Sequence, residues 1–297
     1  RWGIKPLYYA RVGDTFVFGS EVKSFLEVPG FRVRLDLEAA TEYLTFQNML
    51  GDRTLFAGVR TLPAGSMMII EGDQTPRVTR WWQPHFEATG DRGEAWYLAG
   101  VRDRFEEAVR RQLMGDVPVG SYLSGGMDSG SITAVAARQI SHLHTFTGGF
   151  PVAGLTGGEA MTDERTAAEF MARTMGTEHY TVVVQPHDLP RILPELVWHL
   201  EDLRVASSYH NYAVARLASR FVKVVLAGAG GDEIFAGYPW RYAHAAGTTS
   251  LDDFATRYAD YWSILVPDAK KSQLFVGDLS RAARGFHAGE RVREVVS

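Results

Sequence analysis

The residues Ser124-Gly125-Gly126-Met127-Asp128-Ser129 carry the densest chemistry in the chain, between an apolar run ending at Leu123 and a helix-forming run from Gly130 to Ala137. Two glycines permit a tight turn whose amides approach an anion closely, and a helix opening there aims its positive end at the same point. Ser124 and Ser129 add hydroxyl donors, so Ser124, Gly125, Gly126 and Ser129 form a cradle suited to a pyrophosphate group. Asp128 places a negative charge inside it. A carboxylate there repels phosphate unless a divalent cation lies between them, which points to magnesium. The loop holds no lysine, which separates it from phosphate loops that end in Gly-Lys-Ser/Thr.

A second turn, Leu226-Ala227-Gly228-Ala229-Gly230-Gly231-Asp232-Glu233, again joins glycines at the end of an apolar run to acidic residues. On a parallel sheet both turns leave the same end, so Asp128 and Asp232 are expected to share one magnesium. Taken alone, Asp232-Glu233 would only complement a helix dipole. His142 and His144, two apart, would share a strand face and could hold a metal, with packing or solvation as the alternative. Asp163-Glu164 opens a helix after the glycine-rich stretch Gly154 to Gly158, either as dipole-complementing charge or as part of substrate closure. Trp81-Trp82 reads as packing. Lys270, Lys271 and the arginines from Arg281 to Arg293 read as a solvated face.

The elements that must hold these turns follow from residue pattern. Residues 1 to about 83 carry short β-like runs, such as Thr15 to Phe18 and Ser66 to Ile70, set apart by turn residues. One helix is predicted near Asp36, where Leu37, Ala40, Tyr43 and Leu44 fall at helical spacing behind an Asp cap. A boundary falls near residue 85, giving domains 1–85 and 86–297. After Glu94 helices alternate with strands. The predicted strands are Val117 to Leu123, around Thr145-Phe146, Tyr180 to Val184 and Phe221 to Leu226. The helices end near Met114 or run over Ser129 to Ile140, Asp163 to Met175, Leu189 to Leu200 and Tyr209 to Arg220. That alternation predicts the α/β class, a parallel sheet covered by helices, with ligands at the carboxyl ends of the strands. The last 50 residues are helical in pattern, with an aromatic stripe of Phe254, Tyr258, Tyr261 and Trp262.

Composition sets the bounds. The chain has 297 residues, 45% hydrophobic and 22% charged, which is room for two domains. With 31 Lys and Arg against 35 Asp and Glu the formal charge is −4, so neither nucleic acid nor an anionic membrane is expected as a partner. The absence of cysteine excludes disulfides, thiolate metal sites and a cysteine nucleophile within these residues. No apolar run reaches the roughly 18 residues of a membrane span, and a cytoplasmic protein is the simplest reading. The chain starts without Met and enters directly into Leu7-Tyr8-Tyr9-Ala10, so it reads as a fragment.

At this point the sequence resembles the glutamine-dependent asparagine synthetase family along nearly its whole length. Gly3-Ile4-Lys5-Pro6-Leu7-Tyr8-Tyr9 and Gly19-Ser20-Glu21-Val22-Lys23-Ser24-Phe25-Leu26 look like closing strands of that family's glutamine-hydrolysing domain. Tyr43-Leu44-Thr45-Phe46, Arg53-Thr54-Leu55-Phe56 and Leu62-Pro63-Ala64-Gly65 continue the likeness. Asp116-Val117-Pro118-Val119-Gly120, Gly176-Thr177-Glu178-His179 and Asp232-Glu233-Ile234-Phe235-Ala236-Gly237-Tyr238 extend it through the second half. The resemblance implies the end of a mostly β N-terminal-nucleophile glutaminase domain, followed by a parallel sheet of the ATP-pyrophosphatase type. It implies ATP and Mg2+, adenylation of the aspartate side-chain carboxylate with loss of pyrophosphate, and attack by ammonia derived from glutamine, in a possible homodimer. By family position Leu123, Gly148 and Gly228 would contact AMP, while Asp128 and Asp232 would hold magnesium.

Three departures accompany the likeness. The family's glutaminase nucleophile is an amino-terminal cysteine, which an upstream Met-Cys-Gly start would supply. Glu201-Asp202-Leu203-Arg204-Val205-Ala206 replaces a more usual Asp-Glu-Pro pattern. Ala229 stands at a position that is often acidic in the family and is assigned to forming the intermediate. That contribution must then come from another residue, or the substrate differs: a related carboxylate, as in β-lactam-forming relatives. A non-catalytic nucleotide-binding paralogue is the remaining alternative.

Overall fold

The computed structural model describes residues 1–72, 75–87, 90–151, 163–202 and 208–296. The stretch Gly154 to Gly158 and residues 203–206 lie outside them. The chain divides into two compact units, Arg1–Glu87 with Leu200–Arg204 and Pro239–Ser297, and Ala88–His199 with Val205–Tyr238.

In the first unit, β1 (Tyr8–Val12) pairs antiparallel with β2 (Thr15–Gly19), and the turn-forming Gly13-Asp14 between them sets the register Val12 to Thr15. A short 3-10 helix, Val22–Glu27, follows. This corrects the expectation of a strand over Gly19 to Leu26: Val22 and Phe25 bury themselves three residues apart, a spacing that a 3-10 turn brings onto one side. Its start is held from far along the chain. Glu201, at a left-handed φ of 53°, accepts from the amides of Val22 (2.7 Å) and Lys23 (2.5 Å), and also pairs with the Lys23 ammonium. Helix α1 (Leu37–Phe46) begins as predicted, with the Asp36 carboxylate accepting from the Ala39 amide at 3.0 Å. Strand β3 (Val59–Thr61) joins the other edge of β1, and β4 (Ser66–Ile69) with β5 (Arg77–Arg80) forms a separate antiparallel pair. Trp82 meets Trp2 edge to face at 4.8 Å, whereas Trp81 is about half exposed, so the packing expected of the pair holds for Trp82 alone.

The second unit contains α2 (Glu94–Gln112), β6 (Val119–Tyr122), α3 (Met127–Ala137), β7 (His144–Gly149), α4 (Arg165–Met175), β8 (Glu178–Val183), α5 (Leu189–Leu200), α6 (Ser208–Ala218), β9 (Val224–Leu226) and α7 (Gly231–Phe235). The α/β expectation is met: β6 to β9 form a parallel sheet in the order β8-β7-β6-β9. Strand β9 is shorter than the apolar run Phe221 to Leu226. The amides of Phe221 and Val222 bond back to the Ala218 carbonyl, so the run's first half closes the end of α6. Apolar packing of Phe146, Val214, Ala218 and Val222 secures α6 to the sheet, and Val109, Val135, Ala136 and Leu143 join α2 and α3 beside it.

The remaining helices of the first unit are α8 (Pro239–Ala245), α9 (Leu251–Trp262), α10 (Asp268–Leu274), α11 (Gly277–Ala283) and α12 (Ala288–Val296). The aromatic stripe lies on α9, where Phe254 stacks on Tyr258 at 5.2 Å and Tyr258 meets Trp262. The solvated-face reading fails at Lys271, which is only 4% exposed. Its ammonium stands 2.5 Å from Oδ1 of the exposed Asp268 and 3.9 Å from the centre of the Phe286 ring, a cation–π contact. Asp268 also accepts from the Ala288 amide at 2.9 Å and so caps α12. Arg291 turns inward as well, onto the buried Glu42.

Candidate active site

Sheet order decides where the two glycine turns meet. From β6 the chain moves outward to β7 and β8, then returns to the opposite edge of β6 as β9. Neighbouring parallel strands whose connections leave in opposite directions open a crevice at their carboxyl ends, and here those strands are β6 and β9. Ser121 pairs with Leu226, so the turns after Leu123 and Leu226 emerge side by side.

The first turn is held by hydroxyls. Ser121 Oγ lies 2.9 Å from Thr133 Oγ1, which donates to the Ser129 carbonyl at 2.8 Å, and both side chains are buried. That chain ties β6 to α3. The Ser124 amide donates to Ser129 Oγ at 3.1 Å, the two hydroxyls are 3.0 Å apart, and the Gly126 amide donates to Ser124 Oγ at 3.3 Å. Leu123 is 1% exposed and donates its amide to Phe146, so it supports the turn from below. Gly125 adopts a φ of 85°, and a Cβ there would stand 2.6 Å from Ala167 Cβ on α4. The loop is thus pressed between α3, which it opens, and α4.

The second turn closes on Asp128. A Cβ on Gly228 would stand 3.0 Å from Asp128 Cβ and from the Ser129 amide, and one on Gly231 would stand 2.5 Å from Asp128 Oδ1. Asp128 therefore lies against bare backbone of the facing loop. Asp232 is the next residue, and its carboxylate lies against Gly237. Among the described residues there is no group of three or more His, Cys, Asp or Glu side chains able to hold a metal. Two carboxylates on facing turns suit a magnesium ion that keeps waters and takes phosphate oxygens. His142 and His144 instead both reach Glu178, at 3.4 and 3.3 Å.

Gly148, near the end of β7, lies beneath His210 of α6: a Cβ there would come within 2.8 Å of His210 Cε1. The His210 ring stacks on Phe150 at 5.2 Å. Glu164, the residue before α4, hydrogen-bonds Ser124 and faces His210. Burial of its carboxylate pushes the group above its ordinary value, against the opposing pull of Ser124 and His210. Next to it the Arg165 guanidinium holds Asp163 well below the usual carboxylate range and donates to the Phe150 carbonyl at 2.8 Å. The sequence singled out Asp163-Glu164 but gave no sign of His210 or of the Arg165 clasp.

A family model described as asparagine synthase matches residues 100–294, and one described as a glutamine amidotransferase domain matches residues 1–82. The chain belongs to the asparagine synthase family. Glutamine-hydrolysing asparagine synthetase 1 of Bacillus subtilis (strain 168) is 35% identical to it over 238 residues, covering 80% of this chain and 36% of its own length. A putative glutamine-hydrolysing asparagine synthetase of Mycobacterium bovis is 36% identical over 245 residues, with the same coverage. Glutamine-hydrolysing asparagine synthetase 3 of Bacillus subtilis is 32% identical over 251 residues, covering 81% of this chain and 40% of its own length. This asparagine synthase family chain thus spans a little over a third of the length of the curated relatives it matches, and its sheet is of the ATP-pyrophosphatase type. Among the described residues no helix is long and apolar enough to cross a membrane.

Proposed function

We propose that this chain serves an ATP-dependent, amide-forming ligase, in which the aspartate side-chain carboxylate attacks the α-phosphorus of ATP. Pyrophosphate leaves, and ammonia derived from glutamine then attacks the aspartyl-adenylate to give asparagine and AMP. Residues 86–297 belong to the synthetase domain and residues 1–85 to the glutaminase domain, and the protein works in the cytoplasm as a homodimer.

The observation that carries this reading is the packing of Asp128 against Gly228 and Gly231 at the β6–β9 crevice. A phosphate cradle and a carboxylate share one turn there, opposite a second turn that presents bare backbone to them at Gly228 and Gly231. Ser124, Gly125, Gly126 and Ser129 bind the pyrophosphate portion of ATP, while Leu123, Gly148 and Gly228 border the AMP portion. Asp128 and Asp232 would hold Mg2+, which when bound would supply positive charge for the departing pyrophosphate. The loop that would orient the same oxygens is fixed before substrate arrives by the Ser124 and Ser129 hydroxyls.

The test is exchange of labelled pyrophosphate into ATP by the full-length protein. Aspartate-dependent exchange is expected, and its absence with aspartate would overturn the substrate assignment. Exchange with another carboxylic acid would favour a relative acting on a different substrate, the reading that Ala229 supports. Nucleotide binding without exchange would leave a non-catalytic paralogue.

A further inference from the structure

Resting on that reading, we propose that Glu164, facing His210, is the proton acceptor of the amide-forming step. Glu164 is placed with little freedom. The residue before it and the residue after it are joined, because Arg165 Nε donates to Asp163 at 2.8 Å while its other nitrogen reaches the Phe150 carbonyl. Gly149 leaves the space through which this guanidinium passes: a Cβ there would stand 2.9 Å from Arg165 Cγ. The Glu164 carbonyl accepts from the Ala168 amide at 2.9 Å, which fixes the backbone from the helix side.

The side chain then hydrogen-bonds Ser124, the first residue of the phosphate loop, and faces His210 across the end of β7. His210 is itself set by its stack on Phe150 and by the bare backbone of Gly148 below it. The carboxylate therefore stands where the loop leaves β6, at the border between the proposed phosphate and AMP portions. Burial holds the Glu164 carboxyl above its ordinary value, against the opposing pull of Ser124 and His210, which makes its ionised form a stronger proton acceptor.

The step balances as follows. The nitrogen lone pair of ammonia forms the new C–N bond at the acyl carbon. The bond from that carbon to the bridging oxygen breaks, and its electron pair leaves on AMP. One N–H proton passes to the Glu164 carboxylate, and a neutral amide remains. A positioned carboxylate in this role contributes about 100- to 10,000-fold to rate.

The experiment uses the full-length protein with ammonium chloride as nitrogen source, so glutamine hydrolysis is not required. Pyrophosphate exchange, AMP release and asparagine formation are measured together. Glu164→Gln keeps an acceptor for Ser124 but cannot take the proton. We expect exchange to persist, asparagine formation to fall about 100-fold or more, and AMP to be released without matching amide. Glu164→Asp should recover part of the amide yield, and His210→Gln should lower amide per AMP less severely. Unchanged amide per AMP in Glu164→Gln overturns the proposal. So does parallel loss of exchange and amide in both Glu164 variants, which would assign the residue to loop shape. Failure of exchange in the unaltered protein would instead overturn the adenylating reading itself.

Discussion

Replacing Gly125 by alanine separates two costs that the loop combines. The first is conformational: at a φ of 85° an L-residue is strained by about 1–2 kcal/mol. The second is steric, since the new Cβ would stand 2.6 Å from Ala167 Cβ and 3.2 Å from the Ala168 amide. Both obstacles are fixed to the α4 backbone and cannot rotate away, so overpacking adds about 1–3 kcal/mol. Gly176 ends the same helix at a φ of 68° with nothing within 4 Å of its Cβ position, so Gly176→Ala carries the conformational cost alone. Urea unfolding of the two variants should therefore differ by about 1–3 kcal/mol, with Gly125→Ala the weaker. Adding Ala167→Gly should restore most of that difference, beyond the roughly 1 kcal/mol that glycine costs in a helix, and the double-mutant cycle isolates the contact. Equal stability of Gly125→Ala and Gly176→Ala, or a zero coupling energy with Ala167→Gly, would refute the packing of the loop against α4.

Asp128→Asn and Asp232→Asn should each weaken magnesium-dependent ATP binding, by at least the roughly 10- to 100-fold typical of disturbing a metal's outer shell. Calorimetric titration with and without the ion is the check. Gly231→Ala should reproduce the Asp128 defect, because its Cβ displaces that carboxylate. Asp268→Ala should destabilise the fold by leaving the buried Lys271 ammonium without its carboxylate, whereas Lys271→Met should cost less, as read by chemical unfolding. Burial pushes the His179 imidazole below its ordinary value of about 6.5. Below that pH the unfolded chain binds a proton that the folded chain resists, so stability falls as pH drops, by at most about 1.4 kcal/mol per unit. In His179→Gln, whose side chain does not titrate, the slope of unfolding free energy between about pH 7 and 5 should become shallower.

The two glycine turns and the α/β class were legible because each rests on local grammar. Strand, glycine, hydroxyl and helix follow one another within a dozen residues, and the Asp36 cap announced α1 in the same way. Distance along the chain hid the rest. Nothing near Val22 signals that Glu201 will accept its amide from 179 residues away, and the likeness to a closing strand favoured the wrong element there. Lys271 looked solvated because two adjacent lysines are usually so, and only the arrival of Phe286 and Asp268 from other parts of the fold buries it. His210 carried no motif at all. Its place at the site comes from α6 crossing the end of β7, which the sequence pattern does not specify.

The order of the sheet explains why glycine recurs where it does in the second turn. Had β9 joined the outer edge of β8, the turn after it would have faced no loop, and Gly228 and Gly231 would have been free to carry side chains. Because β9 returns to β6, the backbone at 228 and 231 must pass within van der Waals distance of Asp128. Any Cβ at either position occupies space that the Asp128 side chain and the Ser129 amide already take. Gly230 has nothing within 4 Å of its Cβ position, and Ala229 is exposed. The spacing Gly-x-x-Gly is therefore the imprint of a carboxylate on the opposite strand end.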